Sequence, residues 1–322
     1  MKIKHVALIA VMLVILAFVL FALPNGKTSS LPKRLNFTLG LCTHGNESSE
    51  LYALRHGVRY LRTDISLTKS QEALIGMEHS SYNASYLGIL DYETLPGGSS
   101  NKNWSLEEWN ESVANAIRSY PYITTWEIWN EPYIKSFQTG YMNGSAYNYY
   151  RVIKNSYEII KSVEPNATIV CFGGAPLGVG NIYDWYAQVW NYGAYNYCNA
   201  ISIHAYPDSY GLNNAINATW ANSLMEYEDL TGKPIWITEF GMPSSSTAYP
   251  YSMNMQRNFL IQSLDFFDRF RFVKRAYWYD LWGLSDGTYK NNFGLLNLSD
   301  PNSNITSPAW HVFLYEYFNA ST

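Results

Sequence analysis

The chain has 322 residues, of which 47% are apolar and only 15% charged, with a formal net charge of -4. The apolar share suits a globular protein with a sizeable core, whereas the charged share is well below the usual quarter, and 28 tyrosines with many Asn and Ser take its place. A surface of that kind, without basic runs, gives no reason to expect nucleic acid or an anionic membrane surface as partner and fits a neutral, polyhydroxylated one.

At the N-terminus, Met1 to His5 carries Lys2 and Lys4 and is followed by an uninterrupted apolar run from Val6 to Leu23, closed by Pro24-Asn-Gly26. As a helix the run spans roughly 27 Å, close to the hydrocarbon thickness of a bilayer, and the two lysines hold its start in the cytoplasm. Residues 1–30 are therefore expected to be a membrane anchor or signal segment with a short tether. A cleaved signal peptide is the competing reading, with a poor small-x-small site around Ala22. Either way the remainder, 31–322, lies outside the cell as one domain and, as expected here, a monomer. Eleven Asn-x-Ser/Thr sequons, from Asn36-Phe-Thr38 to Asn319-Ala-Ser321, point the same way. The three cysteines, Cys42, Cys171 and Cys198, show no metal-ligand spacing. Cys171 and Cys198 are expected to be small buried hydrophobes in strands, and neither metal nor cofactor is expected.

From residue 31 onward, short β-branched or aromatic runs alternate with amphipathic stretches, the pattern of βα units around a parallel sheet. Eight strands are expected: Phe37 to His44, Val58 to Ile65, Tyr86 to Tyr92, Thr124 to Asn130, Thr168 to Gly173, Ala200 to Tyr206, Ile235 to Phe240 and Val273 to Leu281. Between them, Ser105-Leu-Glu-Glu108 reads as a capping box, followed by Trp109, Val113 and Ile117 on one helix face. A longer helix starts near Ser145, with Tyr149, Ile153, Tyr157 and Ile160 as its buried stripe, and ends at Glu164-Pro165. Another follows Pro250, and the last runs from Pro308 to Phe318. The fold class is α/β, a (β/α)8 barrel behind an N-terminal transmembrane or signal helix.

In such a barrel, functional groups sit where strands run out into the following loops. The fourth strand ends in Asn130-Glu131-Pro132, the sixth in His204-Ala-Tyr206, and the seventh in Glu239-Phe-Gly241. Two carboxylates at two strand ends are what acetal hydrolysis requires, one to protonate the leaving oxygen and one, ionised, to meet the developing oxocarbenium ion. With Arg62 in Leu61-Arg-Thr-Asp64, these residues resemble the clan of retaining (β/α)8-barrel glycoside hydrolases that includes families 5 and 39. The resemblance covers nearly all of the chain beyond residue 31.

It implies an O-glycosyl hydrolase, of cellulase, xylosidase or mannanase type, acting on an extracellular carbohydrate. Glu131 is then the acid/base, Glu239 the nucleophile, Asn130 a contact to the sugar 2-hydroxyl, and Arg62 the group that keeps the nucleophile ionised. His204 and Tyr206 share a strand face from which Tyr206 can reach Glu239. A strand-eight aromatic, Trp278 or, by the same parity, Trp282, forms the floor under the sugar, and His44 is a further hydroxyl contact. Trp104, Tyr133, Phe137, Trp185, Trp282 and Tyr289 are candidate sugar platforms, while Asp64, Asp91 and Asp208 read as loop caps. A transglycosidase with the same residues and a non-catalytic carbohydrate-binding barrel are the alternatives.

Overall fold

The structure, a computed structural model, describes residues 34–44, 47–207, 216, 218–247, 250–282, 285–286, 291–296 and 307–320. The expected N-terminal helix, Asp208 and Tyr289 lie outside these residues. No helix among the described residues is long and apolar enough to cross a membrane.

Eight strands close into a parallel barrel in chain order: β1 (Thr38–Cys42), β2 (Tyr60–Asp64), β3 (Ser85–Leu90), β4 (Thr125–Ile128), β5 (Thr168–Pro176), β6 (Ala200–Ala205), β7 (Ile235–Phe240) and β8 (Val273–Trp278). A helix follows each strand: α1 (Glu47–Arg55), α2 (Lys69–Tyr82), α3 (Leu106–Ser119), α4 (Ala146–Val163), α5 (Gly180–Asn191), α6 (Ala218–Thr231), α7 (Met253–Phe267) and α8 (Pro308–Ala320). A two-stranded hairpin, β9 (Ser285–Asp286) with β10 (Asn291–Asn292), sits between β8 and α8.

Local chemistry sets the helix starts. Ser105 accepts from the Glu108 N–H while the Glu108 carboxylate accepts from the Ser105 N–H, and Trp109, Val113 and Ile117 then bury one face of α3. Ser145 caps α4, whose Tyr149, Ile153 and Ile160 are buried. The strands are buried on both sides, and alternate residues separate two layers of packing. Trp126, Ile128, Ile235, Ile237, Ala276 and Trp278 face outward into the main core beneath the helices. Cys42, Leu87, Val170, Ala200, Trp236 and Tyr277 form a smaller cluster of their own in the barrel interior.

Several strands stop short of the expected ends. β1 ends at Cys42 and β8 at Trp278, because Thr43, His44 and Tyr279 already belong to the loops over the barrel mouth. β5 instead runs on to Pro176 through a register shift at Cys171/Ala175, where Gly173 and Gly174 have positive φ. Cys171 and Cys198 are joined by a disulfide with Cα atoms 5.7 Å apart, which corrects their reading as free buried hydrophobes. The cause is strand pairing: β5 and β6 are neighbours, with Cys171 in register with Ile201, so Cys171 within β5 meets Cys198 in the turn that leads into β6, 27 residues on. Cys42 remains a buried free thiol.

Candidate active site

Both expected glutamates emerge where regular strand geometry breaks. By strict alternation Glu239 would share the outward face of Ile235 and Ile237. A register shift between β6 and β7 at Ile203/His204, which pairs His204 with Glu239, turns it into the barrel mouth instead. At the end of β4, Trp129 and Glu131 both have positive φ, 70° and 44°, and the successive residues Asn130 and Glu131 both line the cleft. A left-handed backbone at a non-glycine residue is strained, and its neighbours must hold it there. The Glu131 N–H donates to the Gly173 carbonyl at 2.5 Å, and a Cβ on Gly173 would stand 2.6 Å from the Trp129 carbonyl oxygen. Gly174 is constrained too, since a Cβ there would lie 2.3 Å from the His204 imidazole.

The two carboxylates meet around that imidazole. His204 Nδ1 lies 3.1 Å from Glu131 Oε1 and 3.5 Å from Glu239 Oε2. Its Nε2 is buried without a hydrogen-bond partner among the described residues, so Nδ1 is the ring's polar edge. Glu239, only 7% exposed, also accepts from the Tyr206 hydroxyl at 2.5 Å and from Arg62 Nη1 at 2.7 Å. Burial alone would raise its carboxyl. The charges of His204 and Arg62 and the hydrogen bonds from Tyr206 and Arg62 outweigh that, holding it below the usual carboxylate range. Glu131 is more open and has a different partner, the Tyr133 hydroxyl at 3.1 Å from Oε1.

Arg62 is buried and fully committed. Its Nε donates to Glu127 Oε2 at 2.6 Å, and its Nη2 to Asn130 Oδ1 at 3.0 Å. With that oxygen taken, Asn130 offers a ligand its amide N–H groups. His44 stands over Asp64, with Nδ1 3.2 Å from Oδ2, and its Nε2 lies 3.9 Å from Asp280. Burial opposes its charge, but Asp64 and Asp280 push its pKa up to about 9.

These groups line a cavity of about 660 Å³ that extends from the two glutamates over the ends of β1, β2 and β3. His44, Arg62, Asn130, Glu131, Tyr206 and Glu239 all reach it, and His204 lies directly behind the carboxylates. The strand-eight tryptophan does not. Trp278 is 0% exposed and packs between Phe240 and Phe259 of α7, because inward parity on β8 belongs to Tyr277 and Tyr279. Trp282 pairs with Leu296 and packs against the main core. Tyr279 and Phe293, 5.5 Å apart edge to face, supply the aromatic wall instead.

Of the candidate platforms, Phe137 lines the cleft, stacked on Tyr92 at 5.6 Å. Trp104 is buried against Trp129 and Trp109, and Trp185 stacks on Tyr149. Asp91 caps a short 3-10 turn as read, whereas Asp64 faces the cleft. Glu127 is a further buried carboxylate, in the interior of β4. In Thr125-Trp-Glu-Ile128 its parity with inward-facing Thr125, in a strand buried throughout, is the signal that marks it. Among the described residues no group of three or more His, Cys, Asp or Glu has the geometry to hold a metal ion.

A closed (β/α)8 barrel with two glutamates about one imidazole at its mouth has the architecture of a glycoside hydrolase. The family model "Glycosyl hydrolase catalytic core" matches residues 77–310, and the chain belongs to that family. No curated protein matches the sequence. Among solved structures, it is similar to a family 39 glycoside hydrolase from Bacteroides cellulosilyticus WH2, with 19% identity, TM-score 0.64, and coverage of 90% of this chain and 66% of that one. Xylanase 10B from Thermotoga petrophila RKU-1, crystallised with xylobiose, matches at 17% identity and TM-score 0.62, covering 90% and 99%. A β-D-glucuronidase from Dictyoglomus thermophilum matches at 14% identity and TM-score 0.59, covering 88% of this chain and 50% of that one. The chain thus spans two thirds or less of the first and last of these proteins.

Proposed function

We propose that this glycoside hydrolase cleaves β-glycosidic bonds of a neutral extracellular oligo- or polysaccharide with retention, by double displacement. The observation that carries the proposal is the shared imidazole nitrogen. Contacts of 3.1 and 3.5 Å to one atom keep the facing oxygens of Glu131 and Glu239 within the sum of those two lengths. Even fully stretched, that sum only touches the lower edge of the roughly 6.5–9.5 Å separation of inverting enzymes. Any bend at the nitrogen brings the pair toward the roughly 5–5.5 Å of retaining ones.

Glu239, held ionised by Arg62 and Tyr206, attacks the anomeric carbon while Glu131 gives its proton to the glycosidic oxygen. The C–O bond to the leaving group breaks, and a glycosyl ester forms on Glu239. Glu131, now a carboxylate, takes a proton from water; the water oxygen adds to the anomeric carbon and the ester bond to Glu239 breaks. Asn130 donates to the 2-hydroxyl, and Tyr279 and Phe293 flank the ring. His44 donates to a hydroxyl further along the cleft.

Electrostatics argue for a neutral sugar. Asp64, Glu93, Glu131 and Glu239 line the cavity, and each cation lining it among the described residues already faces two carboxylates: Arg62 faces Glu127 and Glu239, His44 faces Asp64 and Asp280. A sugar carboxylate entering this cavity meets like charge and, among the described residues, no cation that is not already facing carboxylates.

The apolar run of residues 6–23, the Cys171–Cys198 disulfide and the sequons support a place outside the cell, held by the N-terminal helix. Asn83, Asn103, Asn143 and Asn166 are exposed and open to glycosylation.

A panel of aryl β-glycosides tests the reading, with Glu239→Gln protein as the control. Hydrolysis of neutral glycosides, with the β-glucuronide at least about tenfold poorer, is expected. Preference for the glucuronide, or equal activity in the control, would overturn it.

A further inference from the structure

Beneath the two glutamates of the cleft lies a third carboxylate that no substrate reaches. Glu127 points from the middle of β4 into the barrel and is 0% exposed. Its Oε2 accepts from Arg62 Nε at 2.6 Å and its Oε1 from the Ser202 hydroxyl at 2.5 Å, and Ser202 in turn meets Thr238 Oγ1 at 2.5 Å. Burying an ion pair gives little net stability, since desolvation offsets the attraction, and apolar residues fill such space at least as well. A role in holding the barrel together therefore does not account for Glu127.

The connectivity of Arg62 does. One guanidinium is divided between two carboxylates, with Nε on Glu127 and Nη1 on Glu239, while Nη2 meets Asn130. Anchoring Nε fixes the plane of the fork, so that both Nη groups point up at the site. Drawing positive charge downward also keeps Arg62 from quenching the carboxylate above it.

The other titratable or charged groups facing Glu239 are His204 and Tyr206 from the β6 end, Glu131 and Tyr133 from the end of β4, Cys42 from β1 and His44 beyond β1, with Tyr279 from the end of β8 in the same cavity. Those facing Glu127, besides Arg62, are Cys42, Tyr149 from α4 and Tyr277 from β8. Of all these, Arg62 is the group hydrogen-bonded to both glutamates.

We infer that Glu127 is a positioning residue that sets, through Arg62, how tightly the attacking oxygen of Glu239 is held and hence how reactive it is. The inference rests on the reading of Glu239 as nucleophile. Two variants pull the balance in opposite directions. Glu127→Gln removes the competing charge, Arg62 turns wholly to Glu239, and the nucleophile becomes less basic. Ser202→Ala leaves the charge but removes a donor from it, so that Glu127 leans harder on Arg62 and loosens its hold on Glu239.

The test is the pH profile of kcat/KM on the best neutral aryl β-glycoside, measured on the full chain. Glu127→Gln is expected to move the acidic limb down by at least about half a pH unit and to lower kcat more than it changes KM. Ser202→Ala is expected to move the limb up by a smaller amount. Lower activity in Glu127→Gln with an unmoved limb means a purely structural role and overturns the inference. If Glu127→Gln does not fold, the Ser202→Ala profile decides, and a limb that stays put or moves down overturns it. Turnover by Glu239→Gln, by contrast, defeats the nucleophile reading itself, so the two failures are distinguishable.

Discussion

The ends of β4 and β7 present the same side chain in two different settings. Glu239 stands in a strand whose register shifts against both neighbours re-aim it, and is gripped by Arg62, Tyr206 and His204. Glu131 sits on a left-handed backbone propped by Gly173, is more exposed, and its carboxylate meets, among the described residues, the Tyr133 hydroxyl and the His204 imidazole. The difference separates the chemistry. Donors and a cation hold Glu239 below the usual carboxylate range, whereas on Glu131, the acid/base of the proposed mechanism, one oxygen is shared between a hydroxyl and an imidazole.

If this contrast is the basis of function, removing each partner should cost according to its side of the site. Glu239→Gln is expected to lower kcat more than about 10³-fold on every substrate, because no other group can form the ester. Glu131→Ala should cost about 10²–10⁴-fold on substrates with poor leaving groups. It should cost much less on activated aryl glycosides, where added azide, needing no proton removed, restores the second step.

Tyr206→Phe takes a hydrogen bond from a charged acceptor, worth about 1.5–3 kcal/mol, or roughly ten- to a hundredfold in rate. Its sign is fixed by the direction of the Glu239 shift. The partners hold the Glu239 carboxyl below the usual range, so with Glu239 as the proposed nucleophile activity is expected to persist until pH falls through that lowered value. Losing Tyr206 should raise it and move the acidic limb up. Tyr133→Phe should have the smallest effect, under about tenfold, and should move the basic limb more than the acidic one, since the Tyr133 hydrogen bond goes to Glu131 and not to Glu239. A Tyr133→Phe profile that shifts more on the acidic side than on the basic side would break the contrast.

The barrel was legible because its strands are short and buried while its helices carry clear caps and stripes. Ser105-Leu-Glu-Glu108 and Ser145 start helices where their side chains can satisfy free N–H groups, and Tyr149, Ile153 and Ile160 face the core. Glu131, Glu239, Arg62 and Tyr206 were legible as polar residues ending or interrupting apolar strands. What escaped depends on small shifts in three dimensions. Whether Trp278 or Tyr279 faces inward turns on one step of parity, and the loss of strand structure after Trp278 removes the basis for extending that parity to Trp282. Trp104 resembles a loop platform until it is seen against Trp109 and Trp129. The Cys171–Cys198 bond depends on neighbouring strands. Glu127 resembles any residue of a strand interior until Arg62 is placed beside it.

The assignment of nucleophile and acid is tested most directly by trapping. A 2-deoxy-2-fluoro glycoside with an activated leaving group, matched to the best substrate, forms the ester but releases it slowly. Peptide mapping by mass spectrometry is predicted to find the fluorosugar on Glu239, within Ile237-Thr-Glu-Phe-Gly241, and nowhere else. An adduct on Glu131, or turnover of the reagent with no adduct and inversion at the anomeric carbon, would contradict it.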